Sequence, residues 1–158
     1  MRSFEKHMKE LMERGDAFLV EHRRVVGIKI RNLGPITDFE LRFGRDMNLV
    51  YGEPMSGKTI MLKIIAYVLG ATREKPCTVT YGREHGEAKV LVDDETGQSY
   101  LLLDEPLAVF PAEKQARFLE WLKNKFPDHQ VIIFTQYKSQ FLECRFICRC
   151  YAMPRVLW

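Results

Sequence analysis

The sequence predicts an α/β fold, a mostly parallel sheet flanked by helices with an antiparallel β part near the N-terminus. Three observations carry this. An apolar strand, Met47 to Tyr51, runs straight into a glycine-bearing loop and then into an apolar-patterned helix, Ile60 to Leu69. Two all-apolar runs, Leu101 to Leu103 and Val131 to Phe134, flank a helical segment, the alternation that lays strands side by side in parallel. Ahead of them, Val25 to Arg31 and Asp38 to Phe43 alternate apolar and polar residues around Leu33-Gly34-Pro35-Ile36, the pattern of a β-hairpin.

Taken in order, residues 3 to 14 place Phe4, Met8, Leu11 and Met12 at helical spacing before Gly15, so this stretch reads as an amphipathic helix that docks on the body or on a partner. The hairpin follows, its antiparallel strands expected at the edge of the main sheet. The helix after Tyr51 should stop at Gly70, where glycine accepts the left-handed turn that ends helices. Thr78 to Tyr81 and Lys89 to Asp93 read as two more strands, the second closed by Asp94-Glu95-Thr96-Gly97. Ala112 to Lys125 carries Ala116, Phe118, Leu119 and Leu122 at helical intervals, and Pro127 ends that helix. No internal repeat and no low-complexity stretch is visible, and 158 residues suit a single domain spanning the whole chain.

Composition bounds the function only loosely. With 46% hydrophobic and 28% charged residues the chain falls in the soluble globular class. A net charge of +3, from 24 basic and 21 acidic residues, is milder than that of a dedicated nucleic-acid binder, so DNA stays open without being indicated by charge. No run approaches the roughly 18 apolar residues of a membrane span, and the start Met1-Arg2-Ser3-Phe4-Glu5-Lys6-His7 is too charged for a signal peptide, so a cytoplasmic protein without membrane insertion is expected. Cys144, Cys148 and Cys150 fit no common zinc spacing and read as ordinary small apolar residues.

The chemistry is concentrated in a few residues. Gly52-Glu53-Pro54-Met55-Ser56-Gly57-Lys58-Thr59 fits G-x-x-x-x-G-K-[ST], with Ile60 next on the helix, and the strand before and helix after supply the context this phosphate-binding motif needs. Its glycines let backbone N–H groups turn toward phosphates, and the helix N-terminus adds a positive dipole end. Lys58 is expected to bridge the β- and γ-phosphates of ATP, and Thr59 to place its hydroxyl on Mg2+. Tyr100-Leu101-Leu102-Leu103-Asp104-Glu105 is an apolar strand that ends in two acids at the edge where ligands sit in open α/β sheets, making Asp104 a magnesium ligand and Glu105 the group that orients or deprotonates an attacking water. Thr135-Gln136 ends the next strand at the same edge, which makes Gln136 a candidate contact for the γ-phosphate or that water.

These residues resemble the ABC-type ATPases, in particular the branch of the SMC, RecF and OLD-nuclease proteins. Three stretches carry the resemblance: Ile28 to Ile36 through Phe43 and Met47 into the phosphate loop, Leu101-Leu102-Leu103-Asp104-Glu105-Pro106 as a Walker B strand, and Phe110-Pro111-Ala112 onward to Thr135-Gln136 and Leu142. It implies a P-loop fold, adenine framed near Asn32 to Ile36, Glu105 as catalytic carboxylate, and work in DNA repair, maintenance or defence. It also marks departures. The sensor histidine of the branch is Gln136 here, and the signature Ser-Gly-Gly loop is missing, with only 45 positions between Thr59 and Asp104 and Gly86-Glu87 sitting in hairpin-like surroundings. No glutamine stands between Thr59 and Gln98, and Gln98 itself reads as a turn residue. A partner chain, the same or different, is therefore expected to complete the site. The competing readings are a Mg-dependent ATPase or ATP-driven switch, a nucleotide-binding regulatory subunit without turnover, and a small-molecule kinase, which the lack of an arginine-rich lid disfavours.

Overall fold

The computed structural model describes residues 2–52, 57–76, 80–136 and 149–152. It is an α/β structure with two sheets. In chain order the elements are α1 (Arg2–Arg14), β1 (Ala17–Val20), β2 (Arg24–Leu33), β3 (Ile36–Arg42), β4 (Met47–Tyr51), α2 (Lys58–Val68), β5 (Glu87–Asp93), β6 (Ser99–Asp104), α3 (Ala112–Lys125), β7 (His129–Thr135) and β8 (Arg149–Ala152). The larger sheet has the order β1-β6-β7-β4-β8; β6, β7, β4 and β8 are parallel, and β1 closes one edge antiparallel to β6. The smaller sheet is antiparallel throughout, in the order β3-β2-β5.

The near-continuous apolar runs of β4, β6 and β7 are those of strands covered on both faces, since successive side chains point to opposite sides. Met47, Leu49, Leu101, Leu103, Val131 and Ile133 face one layer, α1 with α3, where Phe4, Met8 and Leu11 meet Phe118, Leu119 and Leu122. Val50, Tyr100, Leu102, Ile132 and Phe134 face the other, formed by α2 and the smaller sheet through Val25, Ile28, Ile30 and Ile36. The buried Gln130 of β7 ties β2 to this face: its oxygen accepts the Val25 N–H at 2.8 Å, and its amide donates to the carbonyls of Val25 at 2.7 Å and Gly44 at 2.8 Å.

The first helix therefore docks on the body. Phe4 packs edge-on against Phe110 and Phe118, with ring centroids 5.4 and 5.5 Å apart. The expected hairpin is present as β2 and β3, but it is not at the edge of the parallel sheet. It pairs with β5 into a separate sheet that covers one face, because its alternating pattern buries one side and that side meets α2 and β6–β7 rather than a free strand edge. The edge position belongs instead to β1, a strand the sequence did not announce. Thr78 and Val79 of the proposed strand at 78–81 lie outside the described residues; Thr80 and Tyr81 are not in a strand, since the Thr80 N–H bonds the Asn32 carbonyl and a turn follows to Arg83. Cys77, Cys144 and Cys148 also lie outside the described residues, and of Cys150 only the backbone, in β8, is described.

Candidate functional site at the sheet edge

The parallel strands end at one edge, and their order decides what meets there. β7 lies between β4 and β6, so Thr135 stands between the loop that leaves β4 and the acids that end β6. The ladder continues one step beyond β4, where the Gly52 N–H donates to the Thr135 carbonyl at 3.2 Å. Glu53, Pro54, Met55 and Ser56 lie outside the described residues. Gly57 has a φ of 98°, a left-handed conformation that residues with a Cβ rarely adopt, and α2 starts immediately after it. The Met61 N–H donates to the Gly57 carbonyl at 2.9 Å, so the helical ladder starts there and the N–H groups of Lys58, Thr59 and Ile60 belong to the first turn.

Lys58 is nearly buried, 8% exposed, and its Nζ donates to the Gly52 carbonyl at 2.7 Å. Burial draws its pKa below the ordinary lysine value, while the negative charges of Glu105 and then Asp104 push back. Thr59 is exposed, and its Oγ1 lies 3.1 Å from Oδ2 and 3.3 Å from Oδ1 of Asp104, to which it donates. Burial raises the Asp104 pKa above the ordinary aspartate value; the Thr59 hydrogen bond and the charge of Lys63 oppose the shift, whereas Asp16 and Glu105 add to it. Ile60 is half-buried and packs with the core residues of α2.

Glu105 is held at several points. Its φ is 46°, and its N–H donates to the Phe134 carbonyl at 2.8 Å. Its carboxylate accepts the Thr135 hydroxyl at 2.7 Å on Oε2 and the Gln136 N–H at 2.7 Å on Oε1. The N-terminal segment braces the same turn from below. The Asp104 N–H donates to the Asp16 carbonyl at 2.8 Å, and Nε2 of the buried His7 donates to the Pro106 carbonyl at 2.7 Å.

Lys58, Thr59, Asp104 and Glu105 are thus brought together, and Gln136 joins them through its backbone N–H; its exposed side chain is not the part that touches Glu105. Gln98 stands at the far end of β6, where its amide donates to the Arg45 carbonyl at 2.9 Å, in keeping with a turn residue. Gly86 is a close-approach glycine, since a Cβ there would lie 2.4 Å from the Asn32 carbonyl oxygen, and Glu87 opens β5. The tip of the β2–β3 hairpin is tied to Thr80, whose hydroxyl donates to the Gly34 carbonyl at 2.9 Å. What the sequence did not indicate is the bracing: Thr135 on Glu105, Asp16 and His7 on the backbone around it. The polar types were visible, but contacts across 30 to 99 positions depend on strand order.

Among the described residues no group of three or more His, Cys, Asp or Glu side chains could hold a metal by itself. A hydroxyl and a carboxylate 3.1 Å apart are hard oxygen donors, and they fit Mg2+, which takes one or two protein oxygens and completes its shell with phosphate and water. First-turn N–H groups beside a near-buried ammonium likewise fit phosphate. Among the described residues no helix is long and apolar enough to cross a membrane.

Fold and site together define an α/β arrangement with a lysine, a hydroxyl and two carboxylates around a helix N-terminus at the C-terminal edge of a mixed sheet. No protein-family model matches the sequence, and no curated protein matches it. Among solved structures, similarity is found to the "Structure of the recombination mediator protein RecF-ATP in RecFOR pathway", at 13% identity and a TM-score of 0.37, covering 68% of this chain. The chain spans 38% of that structure's length.

Proposed function

We propose that this chain binds ATP with magnesium and works as an ATPase or ATP-driven switch. One observation carries the reading: the Thr59 hydroxyl rests on the Asp104 carboxylate at the start of a helix whose first residue, Lys58, is buried with its Nζ on the Gly52 carbonyl. Phosphate would be held by the N–H groups of Lys58, Thr59 and Ile60 together with the Lys58 ammonium, and Thr59 and Asp104 would hold Mg2+. The metal supplies neutralisation of charge developing on the phosphate oxygens. Glu105 then orients a water and takes its proton. Sequence resemblance extends the proposal to a second protein chain that completes the site and to DNA as a partner.

Binding of a fluorescent ATP analogue, with and without Mg2+, tests this. Lys58→Ala should weaken it at least a hundredfold, because the phosphates lose charge-assisted bonds from the ammonium to two phosphates, roughly 1.5–3 kcal/mol for each hydrogen bond to a charged group. Equal affinity in wild type and variant would overturn the reading. Binding without turnover is a second reading, favoured by Gln136, whose uncharged amide brings no cation to a γ-phosphate. Phosphate release separates the two: a wild type no faster than Glu105→Gln is a binding module.

A further inference from the structure

Thr135 is the last residue of β7 and wholly buried, following the apolar run Val131 to Phe134. A valine would suit that strand equally by shape and β-propensity, so the hydroxyl calls for a reason. Its partner supplies one. A carboxylate accepts and does not donate, so the Thr135 hydroxyl gives its proton to Oε2 of Glu105, at 2.7 Å, while the Gln136 N–H holds Oε1 at the same distance. Both bonds are as short as charge-assisted hydrogen bonds run. The two donors come from successive residues of β7 and grip a side chain that begins on β6, so the neighbouring strand fixes a torsion-rich group whose own backbone sits in the left-handed region.

We infer that Thr135 is a positioning residue: its hydroxyl, with the Gln136 N–H, fixes the Glu105 carboxylate at the edge where Thr59 meets Asp104, in the orientation needed to receive a proton from water. The inference rests on the ATPase reading above. A carboxylate offers about four lone-pair sites, and the two bonds occupy one on each oxygen, so acceptor capacity remains for a water. The part of Gln136 that matters here is its main chain, which any residue at that position supplies.

Thr135→Val and Thr135→Ser decide the matter, since they pull apart shape and hydroxyl. Positioning by the hydroxyl predicts that Val lowers kcat for phosphate release roughly tenfold or more, as loss of a hydrogen bond to a charged group should, while KM and ATP affinity stay within about twofold and Ser keeps nearly full kcat. On a Glu105→Gln background, Thr135→Val should add nothing, because the group it positions has lost its role. A merely structural threonine predicts the reverse ranking, with Val matching wild type and Ser, one methyl short in a filled core, falling behind. That ranking, or a Val variant whose loss appears in KM, overturns the inference and leaves the ATPase reading intact. A wild type that binds ATP and releases no phosphate removes the hydrolase reading and the positioning role together. Thermal melts of both variants within a few degrees of wild type confirm that folded protein is being compared.

Discussion

Asp104→Asn should make the chain more stable and less able to respond to nucleotide, two effects of opposite sign from one atom exchange. The cost of the change is small. The asparagine oxygen still accepts the Thr59 hydroxyl, and the bond it inherits, 3.1 Å at best, is longer than the usual 2.7–2.8 Å for O–H···O. Losing the charge there costs less than about 1 kcal/mol, or under roughly 2–4 °C in melting temperature for a chain of this size. The gain is removal of a charge that burial, Asp16 and Glu105 all disfavour. The pH dependence follows from linkage. With its folded pKa above the ordinary 3.8, Asp104 stays protonated in the folded chain at pH values where the unfolded chain has lost that proton, so stability falls as pH rises from 3.8 through the raised value. The variant should therefore melt higher than wild type at pH 7 without ligand, an advantage that vanishes below about pH 3.8.

With Mg·ATP the order reverses. At a hundredfold excess over Kd, wild type should gain about 2.7 kcal/mol, a rise of roughly 5–10 °C, which EDTA removes. Asp104→Asn, short of an anionic oxygen for the metal, should show little of that rise. Differential scanning fluorimetry at pH 7 and near pH 3.5, with and without Mg·ATP, reads all four conditions. A variant that melts lower than wild type at pH 7 without ligand refutes the account of Asp104 as a disfavoured buried charge. One that keeps the whole ligand-induced rise refutes its role beside Thr59.

Two stability predictions complete the set. The Tyr100 hydroxyl is buried with no hydrogen-bond partner among the described residues, and burial holds its pKa far above the usual tyrosine value, so Tyr100→Phe should raise stability by roughly 1 kcal/mol in urea unfolding; a loss of that size would reveal a partner. Gln130→Ala strands the Val25 N–H and the carbonyls of Val25 and Gly44, and it should cost about 2–4 kcal/mol with the unfolding slope unchanged, an unaltered midpoint contradicting its role as the tie between sheets.

Much of the scaffold was legible because its signals are local. β4 and α3 have the expected limits, Met47–Tyr51 and Ala112–Lys125, since an apolar run before a glycine and a helical stripe ended by Pro127 need no distant partner. β1 was not legible. Ala17-Phe18-Leu19-Val20 is only four residues, and it is a strand because β6, more than eighty positions later, offers an edge to pair with. The same holds for β8 beside β4. Period-two alternation marked β2 and β3, and turn residues bounded β5, but these signals say only that a strand is present, not whether it continues the main sheet or lies across it. The site divides likewise. That Lys58, Thr59, Asp104 and Glu105 meet at one edge was legible because the first two open the helix after β4 and the others close β6. That Thr135 holds Glu105, and that Gln136 contributes its main chain, depends on β7 lying between β4 and β6, which spacing alone does not state.

The grip of the N-terminal segment on the turn after β6 has a practical corollary. Asp16 and His7 hold the chain on either side of Glu105, while Phe4, Met8 and Leu11 roof Phe118 and Leu122. Cutting away the first sixteen residues would at once uncover an aromatic patch and leave a left-handed glutamate without two of its anchors. A shortened chain that clumps and a shortened chain that is inert would thus share one origin, and point changes at His7 are the way to study the site with the roof still on.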